Sequence, residues 1–174
     1  MDVSAEDELR SMLSLFPFRP TSEGPAEMTH YLFLGSSAHA RDPSLLHKLG
    51  ITHVINCAEN DVGIEHYASL RECSIECSGF NSSDAKEYTM LAHHDDVLAM
   101  VTAIKDSHGV CMLHCQAGVN RSGFLMIALL CGLEHMPLLK AAAWARQQRG
   151  RVCTNVGFQN QLLQLAKERN WQLR

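Results

Sequence analysis

No stretch of this chain is long and apolar enough to span a bilayer. The longest candidate, residues 124–133, falls far short of the roughly 20 residues a spanning helix needs. An apolar signal segment is also lacking, because the opening MDVSAEDELR is acidic. Asp2 stands where N-myristoylation requires glycine, and the closing NWQLR carries no cysteine for prenylation. There is no basic excess: 15 Lys and Arg face 19 Asp and Glu, for a net charge of −4. That balance gives no electrostatic case for a nucleic-acid or anionic-membrane partner. Internal repeats and low-complexity tracts are absent, and so are CxxC pairs. The seven cysteines are an odd number, which points to free thiols in a reducing compartment rather than a disulfide framework. Cys73 and Cys77, like Cys111 and Cys115, are spaced by three residues in strand-like sequence, which disfavours zinc. His66, His93, His94 and His108 read as surface or helix residues rather than metal ligands. These features predict a cytoplasmic protein, with the nucleus left open as a second location.

What is present fits one α/β domain. The chain has 174 residues, 46% hydrophobic and 20% charged, enough for a substantial core. Residues 1–27 read as an N-terminal extension. Within it Ser4 and Asp7 can cap a short amphipathic helix through Leu15, and Pro17, Pro20, Gly24 and Pro25 then break the chain. Residues 28–174 read as the folded domain, with strands expected at 31–35, 52–58, about 70–77 and 110–115. Asp42-Pro43 starts a helix that Gly50 stops. Longer helices are expected at about 85–105, 121–134, 137–149 and 156–169. Strands alternating with helices predict a central, mainly parallel sheet flanked by helices.

The stretch HCQAGVNRSG, residues 114–123, follows a fully apolar strand and opens a helix. In such sheets ligands sit beyond the carboxyl ends of the central strands. A helix N-terminus offers unpaired amides and partial positive charge, and a short loop can aim several amides at one point. Gln116, Ala117, Gly118, Val119 and Asn120 supply that phosphate-sized nest, and Arg121 adds a two-pronged donor. The same environment favours the thiolate of Cys115, a nucleophile facing the phosphorus. Ser122 is placed to donate to the sulfur, and His114 to orient the loop from the strand end. A buried structural thiol with Arg121 as a surface cap is the plainer alternative.

HCQAGVNRSG resembles the HCxxGxxRS signature of the cysteine-based protein tyrosine phosphatase superfamily, and within it the atypical dual-specificity protein phosphatases. YLFLGSSAHA and LLHKLGITHVINCAEN resemble the opening of those domains, and GRVCTNVGFQNQLL their closing helix, so the likeness runs from residue 28 to about 167. It implies hydrolysis of phosphotyrosine, with phosphoserine and phosphothreonine, without metal or cofactor. It also implies phosphorylated proteins as partners, kinases among the candidates. By that resemblance Asn155 braces the phosphate loop, while Phe158 and Leu162 pack into the core. The family needs a general acid about thirty residues before the nucleophile, and Asp84, 31 positions upstream in NSSDAKEYTM, is the choice. A plain helix cap is its alternative role; Asp95 and Asp96 are rivals and Asp61 a fourth.

The loop carries Val119-Asn120 and no lysine ahead of Arg121, which disfavours phosphoinositides. Asn before Arg resembles members acting on RNA 5′ ends, and this keeps an RNA 5′-phosphatase as an alternative. A non-catalytic phosphopeptide-binding protein is the third reading, opposed by the joint presence of Cys115, Arg121 and Asp84. No kinase-docking domain is recognisable. The setting of Cys57 resembles that of a cysteine that bonds the nucleophile on oxidation in a related lipid phosphatase, so reversible Cys57–Cys115 pairing is one hypothesis. A small buried strand residue is the other, and peptide mapping after mild peroxide separates them.

Overall fold

The computed structural model describes residues 3–15 and 23–174; Pro17 and Pro20 lie outside them. The first helix, α1 (Ala5–Ser14), is capped by Ser4, whose hydroxyl oxygen accepts from the Asp7 N–H. Strand β1 (Ala26–Thr29) runs antiparallel to β2 (Leu32–Gly35). Two short helices follow, α2 (Ser37–Ala40) and α3 (Pro43–Lys48). Asp42 caps α3 by accepting from the Leu45 N–H, with proline at the first helical position. Then come β3 (His53–Asn56), α4 (Glu59–Val62), α5 (His66–Glu72) and β4 (Glu76–Gly79). A single 3-10 turn, Met90–His93, leads into α6 (His94–Asp106), and β5 (Cys111–His114) precedes α7 (Arg121–Glu134), α8 (Leu138–Arg149) and α9 (Val156–Glu168).

The sheet order is β1-β2-β5-β3-β4, parallel except at the β1–β2 edge. This is the expected mainly parallel sheet. β5 lies at its centre, with all four residues buried, as a strand covered on both faces should be. His114 is in register with Gly35 on one side and Asn56 on the other. The loop that follows β5 therefore emerges between the ends of β2 and β3. One apolar layer gathers α1 and α6 to α9 on the sheet, and a smaller one holds Ala40, Leu46 and Leu70 against Val54 and Met112. Every residue of α7 from Arg121 to Cys131 is buried, so this helix is apolar on all sides and runs through the interior.

Three expectations change. The strand placed near 70–77 is shorter and later: Leu70 belongs to α5, and β4 starts at Glu76. The helix placed at 85–105 begins only at His94, because residues 82–89 form an irregular segment ahead of the 3-10 turn. Residues before 28 also join the body of the protein. β1 starts at Ala26, and α1 buries Leu9 and Leu13 in the main core, touching α8 and α9. Leu9→Ala should accordingly lower stability by about 2–4 kcal/mol, read as a fall in the denaturant midpoint. An unchanged midpoint would mean that α1 does not pack in solution.

Candidate active site

Residues 115–120 link β5 to α7, and their carbonyls are held from outside. Gln116 O accepts from the Ser37 N–H (3.0 Å), and Val119 O from the Cys153 N–H (2.8 Å). Between them, the Arg149 guanidinium donates to Ala117 O (2.9 Å) and to Gly118 O (3.2 Å). With these carbonyls turned outward, the loop's amides face inward. Gly118 makes the turn possible: its φ is +66°, and a Cβ there would lie 2.2 Å from Gly35 O. Arg149 went unrecognised in the sequence, where nothing relates a residue at the end of α8 to this loop.

The amides of Gly118, Val119 and Ser122 bond the sulfur of Cys115, and the Ser122 hydroxyl donates to it at 3.2 Å. Burial of this thiol opposes ionisation, yet these four donors outweigh it and lower the pKa. His114 is fully buried, and its Nδ1 lies 2.9 Å from Cys115 O. A carbonyl can only accept, so Nδ1 carries the hydrogen and fixes the tautomer. Burial, above all, pushes the His114 pKa down to about 4, which keeps the ring neutral. Cys57 follows the residue in register with His114, and its N–H donates to His114 O (2.7 Å). That places it beside Cys115. Burial and then the neighbouring Cys115 charge push the Cys57 thiol up, so it stays protonated.

Arg121 opens α7 with its side chain 5% exposed. One terminal nitrogen donates to Asp61 Oδ2 (2.6 Å) and to Ser82 O (3.3 Å), while its buried Nε has no partner. An unpaired buried guanidinium nitrogen is costly, and an anion in the cavity would satisfy it. Asp61 thus fixes the guanidinium and does not line the cavity. Asp84 does line it, together with Cys115, Gln116, Ala117, Val119, Asn120, Arg121 and Arg151, around a volume of about 300 Å³. Arg151 is a second residue that sequence reasoning missed. Asp95 lies elsewhere, bound to Arg169 (2.5 Å) and His94 (2.8 Å) in the first turn of α6, and Asp96 follows it there. Asn155 caps α9 through its side-chain oxygen, which accepts from the N–H groups of Gly157 and Phe158. It meets the loop after β5 through its main-chain N–H, which donates to Asn120 Oδ1 (3.0 Å), and its side-chain nitrogen donates to Asp84 O (2.7 Å). Among the described residues, no helix is long and apolar enough to cross a membrane.

The family model for the dual specificity phosphatase catalytic domain matches residues 32–168. The chain is 33% identical to mouse dual specificity protein phosphatase 2 over 146 residues, covering 82% of this chain and 43% of that protein. It spans about two-fifths of the length of the curated relatives it matches. Among solved structures it resembles human DUSP28, with TM-score 0.76 and 22% identity over 87% of this chain and 98% of that one. It also resembles human tyrosine phosphatase-like serine/threonine/tyrosine-interacting protein, with TM-score 0.75 and 22% identity over 86% and 99% of the two chains.

The donors around Cys115 predict a measurable pH dependence. Because its pKa is lowered, alkylation by iodoacetamide should stay fast as pH falls below the range of N-acetylcysteine. It should decline only as pH passes through the depressed value. Ser122→Ala removes one donor and should move that inflection upward, as read by site-resolved mass spectrometry. A Cys115 inflection matching that of N-acetylcysteine would contradict the donor arrangement.

Proposed function

Since the chain belongs to the dual specificity phosphatase catalytic-domain family, we propose that it hydrolyses phosphate monoesters on proteins. Phosphotyrosine is the leading substrate, with phosphoserine and phosphothreonine beside it, and a phosphocysteine is the intermediate. One observation carries this reading. Cys115, whose sulfur has a pKa lowered by neighbouring amides, lines one cavity with Arg121, whose buried Nε has no partner.

In the first step the Cys115 thiolate attacks phosphorus in line with the departing oxygen. The S–P bond forms, the P–O bond breaks, and Asp84 gives its proton to the leaving phenolate or alkoxide. The loop amides and Arg121 hold the equatorial oxygens, where charge accumulates. In the second step ionised Asp84 takes a proton from water, whose oxygen attacks phosphorus. The S–P bond breaks, inorganic phosphate departs, and the Ser122 hydroxyl stabilises the sulfur as it regains its charge. No metal or cofactor enters these steps.

Two other readings are weaker on specific grounds. For an RNA 5′-phosphatase, the suggestive feature is asparagine ahead of Arg121. Both ends of the Asn120 amide are engaged with protein, on Asp84 at one end and Asn155 at the other, so an RNA substrate is not needed to explain it. A non-catalytic phosphopeptide binder does not account for a nucleophile, an arginine and a carboxylate lining one cavity.

A side-by-side assay on phosphotyrosine peptide, phosphothreonine peptide and RNA 5′-triphosphate tests the assignment. Turnover should be highest on phosphotyrosine and bell-shaped in pH, since Cys115 must be ionised while Asp84 is protonated. Asp84→Ala should slow phosphotyrosine hydrolysis by about 10²- to 10⁴-fold. Cys115→Ser should abolish turnover while inorganic phosphate still binds. Sustained hydrolysis by Cys115→Ser would refute the thiol mechanism, and faster turnover of RNA than of either peptide would favour the RNA reading.

A further inference from the structure

Asn120 connects three segments of chain. Its Nδ2 donates to Asp84 Oδ2 (3.1 Å), while its Oδ1 accepts from the Thr154 hydroxyl (3.2 Å) and the Asn155 N–H (3.0 Å). Asn155 takes hold of the same aspartate, with Nδ2 donating to its main-chain oxygen (2.7 Å) and more weakly to Oδ1 (3.3 Å). The segment bearing Asp84 also presses on the start of α9. A Cβ at Gly157 would stand 1.8 Å from Lys86 O, so only glycine allows this approach.

We infer that Asn120 is a positioning residue that fixes Asp84 at the cavity it lines with Cys115, so that the acid is set in place before substrate arrives. This rests on the phosphatase reading and deepens it. Asn120 immediately precedes Arg121, so one stretch of backbone carries the guanidinium and the amide that holds the acid. Distance between acid and anion site is thereby set by a single peptide unit and one short side chain. The choice of side chain follows from charge. An aspartate at 120 would place a second carboxylate against Asp84, while a serine is too short to reach from Thr154 to Asp84. An amide is neutral, donates at one end and accepts at the other. Each carboxylate oxygen has two acceptor directions, so Asp84 can accept from the amides and still direct its own proton at the leaving oxygen.

Kinetics of the full chain test this with two substrates. Phosphotyrosine peptide needs its leaving oxygen protonated, whereas p-nitrophenyl phosphate, with a more acidic leaving group, needs it less. Asn120→Ser should lower kcat on phosphotyrosine by about 10-fold, part of the acid's contribution, with a much smaller loss on p-nitrophenyl phosphate. In an Asp84→Ala background the same substitution should cost nothing further. Equal losses on the two substrates, or additive losses in the double variant, would overturn the inference by placing Asn120's effect on the phosphate loop itself. Should Asn120→Ser not fold, Thr154→Val removes one anchor of the amide and should show the same split more weakly. A wild-type chain inert on both substrates would defeat the phosphatase reading alone, because hydrogen exchange still reads the clamp. Asn120→Ser should speed amide exchange in residues 82–88 and not in 116–119, and unaltered exchange in 82–88 would overturn the inference.

Discussion

The site depends on carbonyls that are pulled outward. A short loop between strand and helix has no intrinsic reason to aim its amides at one point, since each peptide unit can rotate. Here Gln116 is fixed by the start of α2, Ala117 and Gly118 by Arg149, and Val119 by the Cys153 N–H. With the acceptors occupied on the outside, the donors have the inside to themselves, and the sulfur meets several at once. That preorganisation lets a buried thiol carry charge: desolvation alone would drive it the other way, as it does for Cys111 and as desolvation with the Asp84 charge does for Cys153. The same chemical group in one interior behaves oppositely because only one of the three is met by donors.

A second constraint concerns Arg121. It is buried at the head of a helix that is itself enclosed, a costly place for a charge unless it is paired. Asp61 supplies the pairing at one nitrogen and leaves Nε open. The guanidinium is thus neutralised enough to be tolerated and free enough to bind. Asp61 ranked last among the carboxylates considered as acid from sequence, and its ion pair with Arg121 explains its presence by another role.

Much of this was legible in the chain because the chemistry is concentrated. Ten contiguous residues carry the proposed nucleophile, the turn glycine, the arginine and the serine, and the apolar run before them marks the central strand. The helices α7, α8 and α9 stand within a residue of where the sequence places them. What escaped notice depends on distance or on weak local signals. β4 is an edge strand of Glu, Cys, Ser and Gly with little burial, so nearby Leu70, which belongs to a helix, attracted the assignment. The acid segment reads as helical by composition, but contact with α9 at Gly157 and the amides of Asn120 and Asn155 hold it irregular. Arg149 to Gly118 and Asp61 to Arg121 span 31 and 60 residues, and no periodicity encodes such pairs.

The seat of α1 has a consequence of its own. This helix lies ahead of the region shared with the family, yet it rests on α8, whose last residue anchors the loop at Ala117, and on α9, whose cap holds Asp84. A protease nick or an alternative start that removed it would expose the backs of both supports at once. Trimming to the family boundary would therefore make a mechanically softer object, in which the chemical groups are all retained but the frame that spaces them has lost its outer brace.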